Sequence, residues 1–184
     1  MSDAIPADPA AVLGLLVDRV ERGTLSRLGR TTPESLAWRP DPDANSIGVT
    51  VWHYTRWFDL LGTVTLVGGP LESQHWLRDG WASRTGYDPR GIGYGGLGLI
   101  TGYTVEEMRK VPALHAEALG EYHRKAMASL RSALAREDAR TLAQTIHFVD
   151  ADTTRFELVF STLLGATRHL GEIDALLSLF ARRS

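Results

Sequence analysis

Asn45-Ser46-Ile47-Gly48-Val49-Thr50-Val51-Trp52-His53-Tyr54-Thr55-Arg56-Trp57-Phe58-Asp59 reads as the opening of a helix with a histidine inside its apolar pattern. Asn45 or Ser46 can cap it, since a short polar side chain there accepts a backbone N–H of the first turn. Ile47, Val51, Tyr54, Phe58 and Leu61 recur every three or four residues along one stripe, and His53, Trp57 and Leu60 along its neighbour. Gly68-Gly69-Pro70 ends the element. An imidazole is a poor choice for plain packing, so His53 is a candidate functional residue. Arg168-His169-Leu170-Gly171-Glu172-Ile173 repeats the situation far along the chain. If the two helices pack together, His53 and His169 can bind one metal ion or flank one pocket.

Three further long amphipathic segments surround this one. Asp8-Pro9 offers a capped start, with Val12, Leu13, Leu16, Val20 and Leu28 at helical spacing up to Gly29. A second segment runs from about Pro112 to Arg136, with Leu114, Leu119, Tyr122, Ala126, Leu130 and Leu134 inward. A third spans about Thr154 to Ala181 and contains His169. Short turns of helix are expected at Thr32–Ser35 and at 104–110, where Thr104 and Glu107 fit a capping box. Residues 144–153 read as a partly extended connector, and no clear alternating strand appears, so the pattern predicts an all-α helix bundle.

The chain has 184 residues, 43% hydrophobic and 23% charged, which suits a single globular domain over residues 1–184. A formal charge of −2 argues against a nucleic-acid or anionic-membrane surface. With no cysteine, disulfides, thiolate ligands and a cysteine nucleophile are excluded. The first residues lack the basic and apolar regions of a signal peptide, and no apolar run reaches spanning length. A soluble, cytoplasmic protein is expected.

From Leu71 to Val111 the sequence is irregular and rich in glycine and aromatics. Gly91-Ile92-Gly93-Tyr94-Gly95-Gly96 matches Gly-x-Gly-x-x-Gly, but a turn precedes it and Thr101-Gly102 interrupts any helix after it. Its glycines read instead as close backbone approaches in a loop crossing the mouth of the bundle. Trp76, Trp81 and Tyr87, beside Trp52 or Trp57, either line a cavity or form a hydrophobic cluster under the loop. Arg78, Arg84 and Arg90 either hold a carboxylate or are solvated. His115 and His123 read as a solvated face, and Asp59, off the face of His53, as a partner for an arginine such as Arg56.

The ordered set Trp-Arg-Pro, Asn-Ser-Ile-Gly, Trp-His-x-x-Arg-Trp-x-Asp and His-x-Gly-Glu-Ile resembles the DinB/YfiT-like four-helix-bundle proteins over essentially the whole chain. The resemblance implies an up-down-down-up bundle, with the long Gly/aromatic-rich connection between helices 2 and 3. It also implies a divalent metal, zinc or nickel, at one end, held by a second-helix histidine and a His-x-x-x-His pair on the last helix. His53 and His169 match two of these ligands, whereas Gly165 occupies the position of the third. Glu172, His75, His147, water or a substrate could fill the gap.

Two functions are compatible with this pattern. In one, metal and pocket (Trp57, Trp76, Trp81, Gly165) serve a transferase or isomerase using a low-molecular-weight thiol such as mycothiol as cosubstrate. In the other, the same bundle binds a small molecule without catalysis, the metal having been lost with the ligand at residue 165. The resemblance further implies a homodimer.

Overall fold

The computed structural model describes residues 8–183, so the reading of the first seven residues as lacking a leader lies outside the described residues. Helix α1 (Pro9–Leu28) starts where Asp8 accepts the Ala10 N–H at 3.1 Å, with Pro9 supplying a preset φ at the first helical position. Its inward stripe is Leu13, Val17, Val20, Thr24 and Leu28. Helix α2 (Pro33–Ala37) is one capped turn between Thr32 and the prolines beyond it.

Helix α3 (Ile47–Leu60) begins at Ser46, whose hydroxyl accepts the Val49 N–H at 3.3 Å. It is buried on nearly every side, from Ile47, Val51 and Trp52 through Phe58 to Leu60, which makes it the central element. A π turn, Leu61–Thr65, extends it. Gly62 lies there because the backbone of a neighbouring helix passes against it, and a Cβ would come within 2.8 Å of Leu130 Cα.

The long connection carries helices α4 (His75–Arg78), α5 (Trp81–Thr85) and α6 (Val105–Arg109), the last under the expected Thr104–Glu107 capping box. Between them the chain turns repeatedly. Gly98 shows why: its φ is +67°, and a Cβ would meet the Pro89 carbonyl at 2.5 Å. Helix α7 (Ala116–Leu134) starts later than the proline suggested. Pro112 lies in a stretch without regular structure before the helix, where its missing N–H costs no ladder hydrogen bond.

After α8 (Ala139–Leu142) comes a departure from the all-α expectation. Strands β1 (Thr145–Phe148) and β2 (Ala151–Thr154) pair antiparallel, with Thr145 opposite Thr154 and Phe148 opposite Ala151. Threonine, isoleucine and phenylalanine side chains favour the pleated backbone, and a connector this short closes as a hairpin. Helix α9 (Arg155–Arg182) comes directly after, its first turn capped by Thr154. Among the described residues the protein is therefore mostly helical, with one small two-stranded sheet.

Helices α1 and α3 each pack against both α7 and α9. Leu13, Val17, Trp52, Phe58, Leu130 and Val159 are among the core side chains closed off between them. No described helix is long and apolar enough to cross a membrane.

Candidate functional site

Helices α3 and α9 bring His53 and His169 side by side, ring centroids 5.2 Å apart and planes at 84°. His53 Nδ1 bonds the Leu99 carbonyl. A carbonyl can only accept, so Nδ1 carries the proton and Nε2 keeps a free lone pair. Burial first, and the neighbouring His169 second, push the His53 pKa down to about 4, outweighing the upward pull of the Leu99 carbonyl and Glu172. The ring is neutral at physiological pH.

His169 is held in the same way. Its Nδ1 donates to Glu172 Oε2 at 2.6 Å, so Glu172 orients the ring from behind, and the ring stacks on Tyr54 at 6.0 Å. The Tyr54 hydroxyl donates to Thr24 Oγ1 at 3.1 Å, which fixes that platform against α1. Neither Nε2 makes a hydrogen bond among the described residues.

The long connection grips α3 through three successive carbonyls. Leu97 and Gly98 accept from Arg56 at 3.4 Å each, and Leu99 accepts from His53. To aim them, Ile100 adopts a φ of +68°, a strained choice for a β-branched residue. Arg56 is wholly buried, 3.6 Å from the equally buried Asp59. Asp59 in turn accepts the backbone N–H groups of His75 and Trp76 at 2.9 and 3.0 Å and the Tyr122 hydroxyl at 2.9 Å. The Trp-His-x-x-Arg-Trp-x-Asp stretch thus does two jobs: Arg56 and Asp59 pin the connection at two places, and His53 and Trp57 face a cavity.

That cavity, about 260 Å³, lies between α3 and α9 and is walled by His53, Trp57, Leu158, Gly165 and His169. Trp57 is backed by Phe148 of the hairpin, ring centroids 5.7 Å apart. At Gly165 a Cβ would meet nothing within 4 Å, so the wall has a recess one turn before His169. Ser161 also reaches the cavity, its hydroxyl without a hydrogen bond among the described residues.

Other candidates lie elsewhere. Trp76 and Trp81 stack at 6.2 Å within a buried aromatic cluster that includes Trp52 and Tyr122, and do not wall this cavity. His147 pairs with Asp152 on the exposed hairpin, and His75 bonds Asp79 and Ser129. Arg90 bonds Asp88 and Glu72, and Arg84 lies over Trp81. His123 is not on a solvated face: it is fully buried, 2.8 Å from Thr55 Oγ1, and burial pushes its pKa down to about 3. It belongs to the inward stripe with Leu119, Ala126 and Leu130, which spacing from His115 alone did not reveal. The site residues missed in the sequence are Leu158, Ser161 and the Leu99 carbonyl. Every residue has a carbonyl, so only the glycine-rich loop around Leu99 hinted at it.

A metal held by three protein ligands does not fit these side chains. Two imidazoles lie side by side, Glu172 accepts from His169, and residue 165 has no side chain to offer. Among the described residues no group of three or more His, Cys, Asp or Glu side chains is placed to share an ion.

The sequence model of the DinB superfamily matches residues 16–173, a span that includes both histidines and Gly165. The chain belongs to the DinB superfamily. A crystal structure described as a conserved protein from Enterococcus faecalis is similar to this DinB-superfamily chain with a TM-score of 0.78. The match covers 98% of this chain and 100% of that one at 20% identity, and establishes the fold alone. No curated protein matches.

Proposed function

We propose that the cavity between His53 and His169 binds a small neutral molecule with an apolar ring and an acidic O–H or N–H. One observation carries this reading. Both Nδ1 atoms are committed to fixed acceptors, which leaves two Nε2 lone pairs beside one cavity of about 260 Å³. Trp57 and Leu158 supply apolar walls, the recess at Gly165 admits bulk, and Ser161 offers a hydroxyl. This is the binding-module reading of the DinB fold. The thiol-transferase reading needs a metal with a third protein donor, which this donor set does not provide. The contacts of α1 and α3 with both α7 and α9 support a four-helix bundle, and the up-down-down-up order is proposed from the family resemblance. Exposed Phe160 and Leu164 on α9 support pairing as a homodimer, and a single monomer-sized boundary in sedimentation would contradict it.

Calorimetric titration with phenol tests the cavity. Saturable binding to the wild type, weakened about fivefold or more in His53→Ala, supports it, because a lost hydrogen bond to a buried acceptor is worth on the order of 1 kcal/mol or more. Equal affinity for wild type and variant contradicts it.

A further inference from the structure

Helix α4 carries a second set of chemistry-bearing side chains that shares no residue with the His53–His169 cavity. His75 Nε2 lies 2.8 Å from Ser129 Oγ on α7, and His75 Nδ1 lies 3.0 Å from Asp79 Oδ2. Serine, histidine and carboxylate stand in hydrogen-bonded series, the order in which a base takes a hydroxyl proton while a carboxylate holds the base. Two cations fix the carboxylate: Arg78 Nε at 3.0 Å from Oδ1 and Lys125 Nζ at 3.2 Å from Oδ2.

The tautomer of His75 decides whether this series is productive. Arg78 Nη2 also lies 2.8 Å from Nδ1, and a guanidinium there asks for an unprotonated nitrogen where Asp79 asks for a protonated one. The Arg78 side chain is 53% exposed and can move into water, whereas Asp79 is 17% exposed and clamped. The carboxylate therefore sets the tautomer, with the proton on Nδ1 and the Nε2 lone pair toward Ser129.

Ser129 also has room in front of it. It walls a cavity of about 240 Å³ with Arg78, Ser132 and Arg136, and with Gly62 and Thr63 of the π turn. The Arg136 side chain makes no hydrogen bond or ion pair among the described residues, so its donors are free. The π turn abuts Ser129 closely: a Cβ on Gly62 would lie 2.8 Å from the Ser129 carbonyl carbon. Such turns occur often at functional sites.

We propose that Ser129, His75 and Asp79 form an acyl-transfer site for a small carboxylic ester. Ser129 Oγ bonds the ester carbonyl carbon as its proton passes to His75 Nε2, and the Arg136 guanidinium faces the oxyanion. Collapse breaks the bond to the alcohol oxygen, and the alcohol leaves with the proton from Nε2. Water then repeats the sequence, giving up a proton to Nε2, releasing the acid and restoring the Ser129 hydroxyl. Asp79 is a positioning residue that holds the imidazole.

The alternative is a clamp that merely ties α4 to α7. Treating the full-length protein with a fluorophosphonate, then mapping its peptides, separates the two. The proposal expects a phosphonyl group on Ser129, with loss of fluoride. Labelling should persist in Ser178→Ala, on α9 and outside this cavity, and slow by at least about a hundredfold in His75→Gln, the size of a general-base contribution. Wild-type protein with a native circular-dichroism spectrum and no label on Ser129 overturns the proposal, whether or not the variants fold. Equal labelling rates in folded His75→Gln overturn it as well.

Discussion

His53 shows how much one backbone contact can decide. Without the Leu99 carbonyl either ring nitrogen could carry the proton; with it, Nε2 is an acceptor. Burial adds that the acceptor stays unprotonated, the pKa falling to about 4. Because the folded pKa lies below the ordinary value of about 6.5, the unfolded chain takes up the proton first as pH falls. His53 therefore contributes stability that is complete above about pH 6.5 and is lost as pH falls toward 4. Two-dimensional NMR of the imidazoles should show His53 as the neutral Nδ1–H form from pH 8 to about 5. A midpoint near 6.5 would contradict this environment. Gly165 supports a complementary test. Gly165→His places a third imidazole one turn before His169, where a Cβ meets nothing within 4 Å. Zinc affinity, measured by competition with a chelator, should rise by at least about tenfold over the wild type, the lesser effect that even outer-shell partners have. Unchanged affinity would mean that the recess is not aimed at the histidine pair.

At the scale of elements, close approach and capping explain most of the arrangement. The π turn after α3 lets Gly62 lie against the backbone of α7. Gly62→Ala forces the two apart, and urea denaturation should show a loss of about 1–3 kcal/mol, typical of overpacking. A neutral or stabilising result would show that the contact is slack. Capping made the helices legible in the sequence: Asp8, Ser46, Thr104 and Thr154 each sit at a helix start as their side chains suggest. Helices α4 and α5 were not legible, because four or five residues carry too little periodicity and α4 is nucleated by Asp59 from another helix. The same limit applies to the site. Helical spacing brings His53, Trp57, Gly165 and His169 to one cavity, whereas Trp76 and Trp81 turn into the core through loop geometry that no local pattern encodes.

On the scale of the whole molecule, the bundle and the long connection depend on each other. Arg56 and Asp59 form a wholly buried pair whose remaining bonds hold the connection at 75–76 and 97–98. Removing one partner strands a charge in the core, at a cost of about 3–5 kcal/mol. The same loop positions the Leu99 carbonyl, so the cavity is a product of the whole fold and of no single helix. A crystal structure with 4-bromophenol tests the central claim most directly, since the anomalous signal of bromine marks the ring without ambiguity. A bromine peak is expected inside the cavity between Trp57 and Gly165, with the phenol oxygen about 2.6–3.0 Å from His53 or His169 Nε2. Bromine bound elsewhere, with that cavity filled only by water, would contradict it.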